Sequence, residues 1–373
     1  MTAQPLIWLA TGGTGGHVFP AEALAEVLMS RGYRVTFLVD ARVQSIRERF
    51  PHVTTHILPS ASPSRSGIGA KLSAGWELLR GTAQALKLIH VEKPKAVVSF
   101  GCYASVPTTL AAIIARVPLI LHEQNAVLGR AHRLVLCQAA RLALSFPRTL
   151  HADMRECNRL IHTGNPVRAG IRTVRELPYH PPRADGPFTL LITGGSQGAK
   201  IFSDVIPEAL ALLPPGIRNR LEVIQQCRAE DLDHARDVYR RAGINAVLAP
   251  FFTDMPQRLA IAHLIIARAG ASTCAELTTV GRPGLLVPLP GAVDADQANN
   301  AIYLVDAGAA WLLPQSTLTA EHLVRRLCEI IRSPEQLNQA AAAAYALGKP
   351  DAAELLAEVV AEFAWPLENT PSH

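Results

Sequence analysis

The sequence predicts an α/β protein made of two doubly wound parallel-sheet domains. Three observations lead there. Short aliphatic runs alternate with longer segments of helical periodicity, the pattern of buried parallel strands covered by helices. The alternation occurs in two series, separated by a Pro-rich stretch at 175–187. Each series opens in the same way, with a strand, a Gly-rich loop and a helix: Thr11-Gly12-Gly13-Thr14-Gly15-Gly16 in the first, Thr193-Gly194-Gly195-Ser196-Gln197-Gly198 in the second.

The strands of the first series are read at 6–10, 34–39, 96–100, 118–121 and 141–144. Those of the second are read at 188–193, 221–225, 245–248, 263–267 and 284–287. The interdomain boundary is expected at about 165–187, where Gly164-Asn165-Pro166 precedes the Pro-rich stretch. The division is then 1–166, 167–346 and a tail 347–373. Its helix, 350–363, is opened by Pro350 and is expected to pack back on the first domain.

Composition narrows the function classes. The chain has 373 residues, enough for two or three domains; 49% are hydrophobic and 18% charged, which excludes a disordered chain. Aromatics are only 5%, so the cores are aliphatic. The six cysteines form no CxxC pair and no regular spacing, so neither a disulfide framework nor a zinc cluster is expected. No basic-then-apolar leader opens the chain, and no run of about 18 apolar residues is long enough to span a bilayer. The net charge of +5 suits an anionic partner. Basic runs interleaved with aromatics are missing, so nucleic acid is not expected to be that partner.

Ligands of parallel sheets bind beyond the carboxyl ends of the strands. There a Gly-rich turn exposes backbone N–H groups, and the next helix adds its positive end. The loop at 11–17 fits that place, although a plain tight turn would also use glycines. The usual dinucleotide fingerprint fails, because Val18 stands at its third glycine, while Asp40 stands where a ribose-binding acid would be. A dehydrogenase therefore stays open as a reading of these residues alone. His17 follows the glycines and could be a base or a phosphate ligand.

Further polar groups follow other strands. His122-Glu123-Gln124-Asn125 comes after the fourth strand, and Gly101-Cys102-Tyr103-Ala104-Ser105 after the third. In the second series Thr273 and Glu276 have the spacing of a capping box, a structural use that competes with Glu276 binding ribose hydroxyls. Asp294-Ala295-Asp296 could hold a metal ion, but a solvated turn opening a helix is the favoured reading. Segment 65–95 sets Arg65, Lys71, Arg80, Lys87, Lys93 and Lys95 around Ile68, Leu72, Trp76, Leu78 and Leu79. It is either a lipid-binding surface or an ordinary helix with its apolar face in the core.

Seven segments in order resemble the MurG family: GGTGGHVFPA (12–21), GCYAS (101–105), HEQN (122–125), GNPVR (164–168), GGSQGA (194–199), ARAGASTCAEL (267–277) and DQANNA (296–301). The resemblance implies the GT-B glycosyltransferase architecture, two Rossmann-like domains around a cleft. It also implies transfer of N-acetylglucosamine from UDP-N-acetylglucosamine to undecaprenyl-diphospho-muramoylpentapeptide (lipid I), giving lipid II. The alternative is another enzyme of this architecture, such as a UDP-N-acetylglucosamine 2-epimerase or a different lipid glycosyltransferase.

By resemblance, Thr14, Gly15, Gly16, Tyr103 and Asn125 meet substrate from the first domain. Arg168 and Ser196 contact the nucleotide-sugar, and Phe252 holds uracil through its backbone. The run Ala271, Ser272, Thr273, Cys274, Ala275 and Glu276 binds diphosphate and ribose, and Gln297 reaches the sugar. His17 and Glu123 are the candidate general bases, with His17 favoured. No cofactor and no metal ion are implied. The expected location is the cytoplasmic face of the bacterial inner membrane, with an anionic membrane surface and cell-wall synthesis proteins as further partners. Two positions depart from the family pattern: Cys102 replaces a usual glycine, and Asp296-Gln297 replaces the paired glutamines of some members.

Overall fold

The computed structural model describes residues 4–43, 45–60, 68–152, 159–195, 198–291 and 294–364, without the side chains of residues 45 and 68–71. The chain divides into two compact units. The first comprises Met1–Arg168 and Pro350–His373, the second Ala169–Lys349.

In the first unit the elements run β1 (Leu6–Ala10), α1 (Gly15–Ser30), β2 (Arg34–Val39), α2 (Ser45–Arg49), β3 (Thr54–Ile57), α3 (Ile68–Glu92) and β4 (Ala96–Ser99). They continue α4 (Val106–Ile114), β5 (Leu119–Glu123), α5 (Arg130–Arg133), β6 (Arg141–Leu144) and β7 (Leu160–His162). The strands form one parallel sheet in the order β3-β2-β1-β4-β5-β6-β7. β1 is central and buried on both sides, and its pleat sends alternate residues to opposite faces. Ile7 and Leu9 pack with Leu24 and Leu28 of α1. Leu6 and Trp8 pack on the other face with Ala85 and Ile89 of α3.

The second unit runs α6 (Ala169–Thr173), β8 (Phe188–Thr193), α7 (Lys200–Ala211), α8 (Pro215–Arg218), β9 (Leu221–Gln226), α9 (Leu232–Ala242) and β10 (Asn245–Ala249). It continues α10 (Met255–Ile261), β11 (Leu264–Ala267), α11 (Ala271–Val280), β12 (Gly284–Leu286), α12 (Asp296–Asp306), β13 (Ala310–Leu312), α13 (Ala320–Ile331) and α14 (Pro334–Leu347). Its parallel sheet has the order β10-β9-β8-β11-β12-β13. Phe188, Leu190 and Ile192 of β8 pack with Phe202 and Ile206 of α7 and with Leu323 and Leu327 of α13.

Both sheets reverse strand order beside their first strand, between β1 and β4 and between β8 and β11. Those are the switch points where a doubly wound sheet receives its ligand.

The chain's last described helix, α15 (Ala352–Ala364), returns to the first unit. Leu356, Ala357, Val359 and Val360 join the core formed by α1 and β1. It begins at Ala352, and Pro350 precedes it in a turn.

The Pro-rich stretch at 175–187 belongs to the second unit and is not a linker. The buried guanidinium of Arg282 donates to the carbonyls of Leu177 at 3.2 Å and Ala260 at 2.6 Å. The Tyr179 hydroxyl donates to the His263 carbonyl at 3.0 Å. These bonds hold a segment whose prolines cannot donate to a sheet.

Candidate active site

In the first unit the loops after β1, β4 and β5 bring the candidate residues to one edge of the sheet. Gly12 makes the turn after β1 possible, since a Cβ there would lie 2.5 Å from the Cβ of Ala104. Gly13 follows with φ +76°, a left-handed conformation that other residues rarely adopt. The second unit repeats the device: a Cβ on Gly194 would lie 2.3 Å from the nitrogen of Ala199, and Gly195 has φ +79°.

α1 starts at Gly15, with Thr14 exposed at its N-cap and Gly15, Gly16 and His17 half-buried in its first turn. The backbone of His17 is held by Thr11 Oγ1, which donates to its carbonyl at 2.8 Å. Its ring Nδ1 lies 2.7 Å from the carbonyl of Phe100 and 3.0 Å from Gln124 Oε1. Asp40, at the end of β2, is buried and committed to Arg42, whose Nε donates to it at 2.7 Å.

The HEQN segment does not start after the strand; His122 and Glu123 are its last two residues. Both are buried. Glu123 Oε1 accepts from the backbone of Asn125 at 3.0 Å and from its amide at 3.4 Å. Oε2 accepts from the backbone of Gly129 at 2.9 Å and from His132 Nδ1 at 3.0 Å. Burial alone would push this carboxyl up, but His132 and the backbone donors outweigh it and hold it below the usual range. Asn125 is half-buried at the start of the loop that Glu123 braces.

Tyr103 opens a single 3₁₀ turn, Tyr103–Ser105, and is half-buried. The residue before it, Cys102, has φ +60° and ψ 165°. That region is essentially reserved for glycine. Burial pushes the Cys102 thiol up to about 11. Arg168, the last residue of the first unit, sets its guanidinium 4.5 Å from the ring centre of Phe19 on α1.

In the second unit α11 begins at Ala271, with Gly270 as N-cap. The capping box expected from Thr273 and Glu276 does not form, because the helix starts three residues before that spacing requires. Thr273 and Glu276 are instead half-buried first- and second-turn residues. Glycine offers no capping side chain, so the first N–H groups of α11 point out of a helix end that has a positive partial charge. Ala271 and Cys274 are buried, Ser272 and Ala275 half-buried. The Cys274 thiol is pushed by burial up to about 12.

Phe252 is buried in the loop after β10, with the guanidinium of Arg258 4.1 Å from its ring centre. Asp296 is the first residue of α12, and its Oδ1 accepts from the backbone of Gln297 at 2.8 Å. Gln297 Oε1 accepts in turn from the backbone of Leu289 at 2.9 Å. Ser196 and Arg65 lie outside the described residues.

Three supporting residues were not singled out from the sequence. His132 braces Glu123 from α5. Gln226, buried at the end of β9, accepts from Thr193 Oγ1 at 2.9 Å and from the backbone of Gly194 at 3.2 Å. Its amide donates to the carbonyls of Gly195 at 3.0 Å and Pro250 at 3.1 Å, joining the Gly-rich loop to the Phe252 loop. Arg268, buried after β11, donates to the carbonyls of Val287 and Pro288 and to Gln315 Oε1. Gln226 and Arg268 leave only a polar side chain at a strand's carboxyl end as a trace in the sequence, and His132 lies on a helix.

Comparison with known proteins adds the family. Residues 7–143 match the Glycosyltransferase family 28 N-terminal domain and residues 189–356 its C-terminal domain. The chain is 49% identical over 359 residues to a protein of Paramagnetospirillum magneticum named UDP-N-acetylglucosamine–N-acetylmuramyl-(pentapeptide) pyrophosphoryl-undecaprenol N-acetylglucosamine transferase, covering 96% of this chain and 97% of that one. A protein of the same name from a Methylobacterium species is 49% identical over 363 residues, covering 97% and 98%. The crystal structure of MurG from Acinetobacter baumannii superposes with a TM-score of 0.77 at 30% identity, covering 96% of this chain and 99% of that one. With two Rossmann-like parallel-sheet domains and near-full-length relatives of this kind, the chain belongs to the MurG family of glycosyltransferases.

Proposed function

We propose that this protein transfers N-acetylglucosamine from UDP-N-acetylglucosamine to undecaprenyl-diphospho-muramoylpentapeptide, forming lipid II and UDP. The observation that carries this reading is the 49% identity over 96% of the chain to a transferase of that name. The attack is taken as inverting: the C4 hydroxyl of the muramoyl sugar displaces UDP from the anomeric carbon and gives a β-1,4 bond.

Such a displacement needs a base for the hydroxyl proton and donors for the charge growing on UDP. We assign the first task to His17. Its Nδ1 faces two oxygen acceptors, so it carries the ring hydrogen and Nε2 keeps a lone pair. Glu123 is the weaker candidate, because four donors already occupy its buried oxygens. It organises the loop carrying Asn125. The second task falls to the first turn of α11 and the Gly-rich loop at 194–198, helped by Ser196. Glu276 then holds the ribose hydroxyls, the Phe252 backbone holds uracil, and Gln297 and Arg168 meet the sugar and its diphosphate. Thr14, Gly15, Gly16 and Asn125 meet the sugar end of the donor or the acceptor, and Tyr103 is a further substrate contact.

The acceptor's polyprenyl tail stays in a bilayer, so the first unit must dock there. α3 supplies the surface. Leu72, Trp76 and Leu79 recur at helical spacing and are 64–70% exposed, beside the exposed Arg80. Their exposure argues against a face turned into the core. Among the described residues no helix is long and apolar enough to cross a membrane. Docking on the anionic cytoplasmic leaflet, where the nucleotide-sugar is available, follows from this reading.

The deciding assay uses labelled UDP-N-acetylglucosamine and a short-chain lipid I analogue. Labelled lipid II is the expected product. Epimerisation of the donor in the absence of acceptor would instead establish a 2-epimerase.

A further inference from the structure

Behind His17 runs one hydrogen-bonded chain in which every direction is determined. Gln124 donates through Nε2 to the carbonyl of His122 at 2.8 Å and to His122 Nδ1 at 3.0 Å. Its Oε1 therefore faces His17 Nδ1. A flipped amide would press Oε1 against a carbonyl oxygen. His122 Nε2 lies 3.1 Å from the carbonyl of Gly164, which can only accept. The His122 hydrogen is thus on Nε2, and Nδ1 receives the Gln124 donor. Burial pushes His122 down to about 4, so it stays neutral near neutral pH and the chain keeps its polarity.

We propose that Gln124 and His122 are positioning residues that hold His17 as the Nδ1–H tautomer, with Nε2 turned outward to take the acceptor hydroxyl's proton. This deepens the reading of His17 as the base and rests on it. In the step itself, the hydroxyl oxygen bonds to the anomeric carbon, the bond from that carbon to the UDP oxygen breaks, and the proton passes to Nε2. The imidazolium so formed keeps its Nδ1–H on Phe100 and Gln124, two neutral acceptors.

The choice of an amide has a chemical reason. A carboxylate at Nδ1 would also fix the tautomer, but it would raise the ring's affinity for a proton. The acceptor diphosphate already favours the charged ring, which cannot act as a base. A neutral orienting group keeps the lone pair available. The charged and titratable groups on the surrounding elements are Glu22 and Glu26 on α1, Asp40 and Arg42 after β2, Cys102 and Tyr103 after β4, His122 and Glu123 on β5, and Arg130, His132 and Arg133 on α5. Glu22 is engaged with Arg49, Asp40 with Arg42 and Glu123 with His132.

The test combines histidine ¹⁵N spectra of the full-length enzyme with pH profiles of kcat. The His17 signal is identified by its loss in His17→Gln. In the wild type it should show the Nδ1–H tautomer. Gln124→Glu places a charge at Nδ1 and should move the acid limb of kcat upward by about 1–3 pH units, the effect of an opposite charge within about 4–6 Å. KM for UDP-N-acetylglucosamine should stay the same, and activity should recover at high pH. Gln124→Met should lower kcat about tenfold, a fraction of the roughly 10²–10⁴-fold that a general base contributes because the base itself remains, without moving KM. An Nε2–H tautomer in the wild type overturns the proposal and needs no variant to fold. A limb that is lost in His17→Ala but unmoved in Gln124→Glu overturns the positioning role alone. A limb that persists in His17→Ala overturns the base assignment, and with it the purpose of the chain.

Discussion

Oε2 of Glu123 lies 3.0 Å from Nδ1 of His132, and both side chains are closed off from solvent. The pair sits under the loop that starts at Asn125, whose backbone and amide it also holds through Oε1. This arrangement separates bracing from proton transfer. Leaving buried donors without their acceptor costs about 1–3 kcal/mol. Glu123→Gln should therefore lower the thermal midpoint and kcat together, while the pH limb of kcat stays where it is. If that limb vanishes in Glu123→Gln and survives in His17→Ala, the base is Glu123.

α11 starts from Gly270, so Thr273 is not its N-cap and Glu276 is not the partner of such a cap. The Glu276 carboxylate is proposed to accept from the ribose hydroxyls, and a hydrogen bond to a charged group contributes about 1.5–3 kcal/mol. Glu276→Ala should weaken UDP binding by about one to two orders of magnitude, at 1.4 kcal/mol per tenfold. It should also erase the preference for UDP over 2′-deoxy-UDP, measured by calorimetry. A mutant that keeps the preference places the ribose elsewhere.

The exposed stripe of α3 can be removed without touching the core. Trp76→Ser with Leu79→Ser should reduce binding to vesicles containing anionic lipid, and Arg80→Glu should reduce it further by about 1 kcal/mol. Slow hydrolysis of the soluble donor should not change. Undiminished vesicle binding by the triple variant would move the docking surface away from α3.

How much of this was legible beforehand depended on the range of the signal. The central strands announce themselves through near-continuous apolar runs such as Leu6–Ala10 and Phe188–Thr193. The strands β3, β7 and β13 escaped, because each has three or four residues and is partly exposed, so no alternation accumulates. β5 runs two residues beyond its apolar stretch because His122 and Glu123 are buried by partners from other elements, not by hydrophobicity. The Thr273–Glu276 spacing misled, since a strand-to-helix turn at Gly270 fixed the helix start first. Gln226 meets the Gly-rich loop from 32 and 33 residues away, a distance at which a single sequence carries no pairing signal.

Cys102 holds a backbone conformation that suits glycine. Its φ of +60° with ψ of 165° costs a side-chain-bearing residue about 1–3 kcal/mol. Glycine takes this conformation freely but loses about 0.5–1 kcal/mol more in backbone freedom on folding. Cys102→Gly should stabilise the fold by a net of about 1 kcal/mol, seen as a raised thermal midpoint, and leave KM values unchanged. A lowered midpoint would mean that packing around the thiol outweighs the strain.

Acid stability offers a reading of the His122 environment that is independent of catalysis. In an unfolded chain a histidine titrates near 6.5, whereas burial in the folded chain pushes His122 to about 4. Between these values the unfolded state binds a proton that the folded state refuses, so falling pH favours unfolding. The contribution is present in full above about 6.5 and is lost progressively down to about 4. The gap amounts to about 3 kcal/mol at 1.36 kcal/mol per unit. Glu123 acts in the same direction, because its carboxyl is held low, but only below the ordinary carboxylate range of about 4.3. In the window from pH 6.5 to 4.5, His263, also pushed down by burial, acts in the same direction and Glu22, pushed up by burial, in the opposite one, so it is the variant that isolates His122. His122→Asn, which cannot take the proton, should have a lower midpoint at neutral pH and a visibly flatter decline across that window. An equally steep decline in the variant would show that His122 is not the group being protonated.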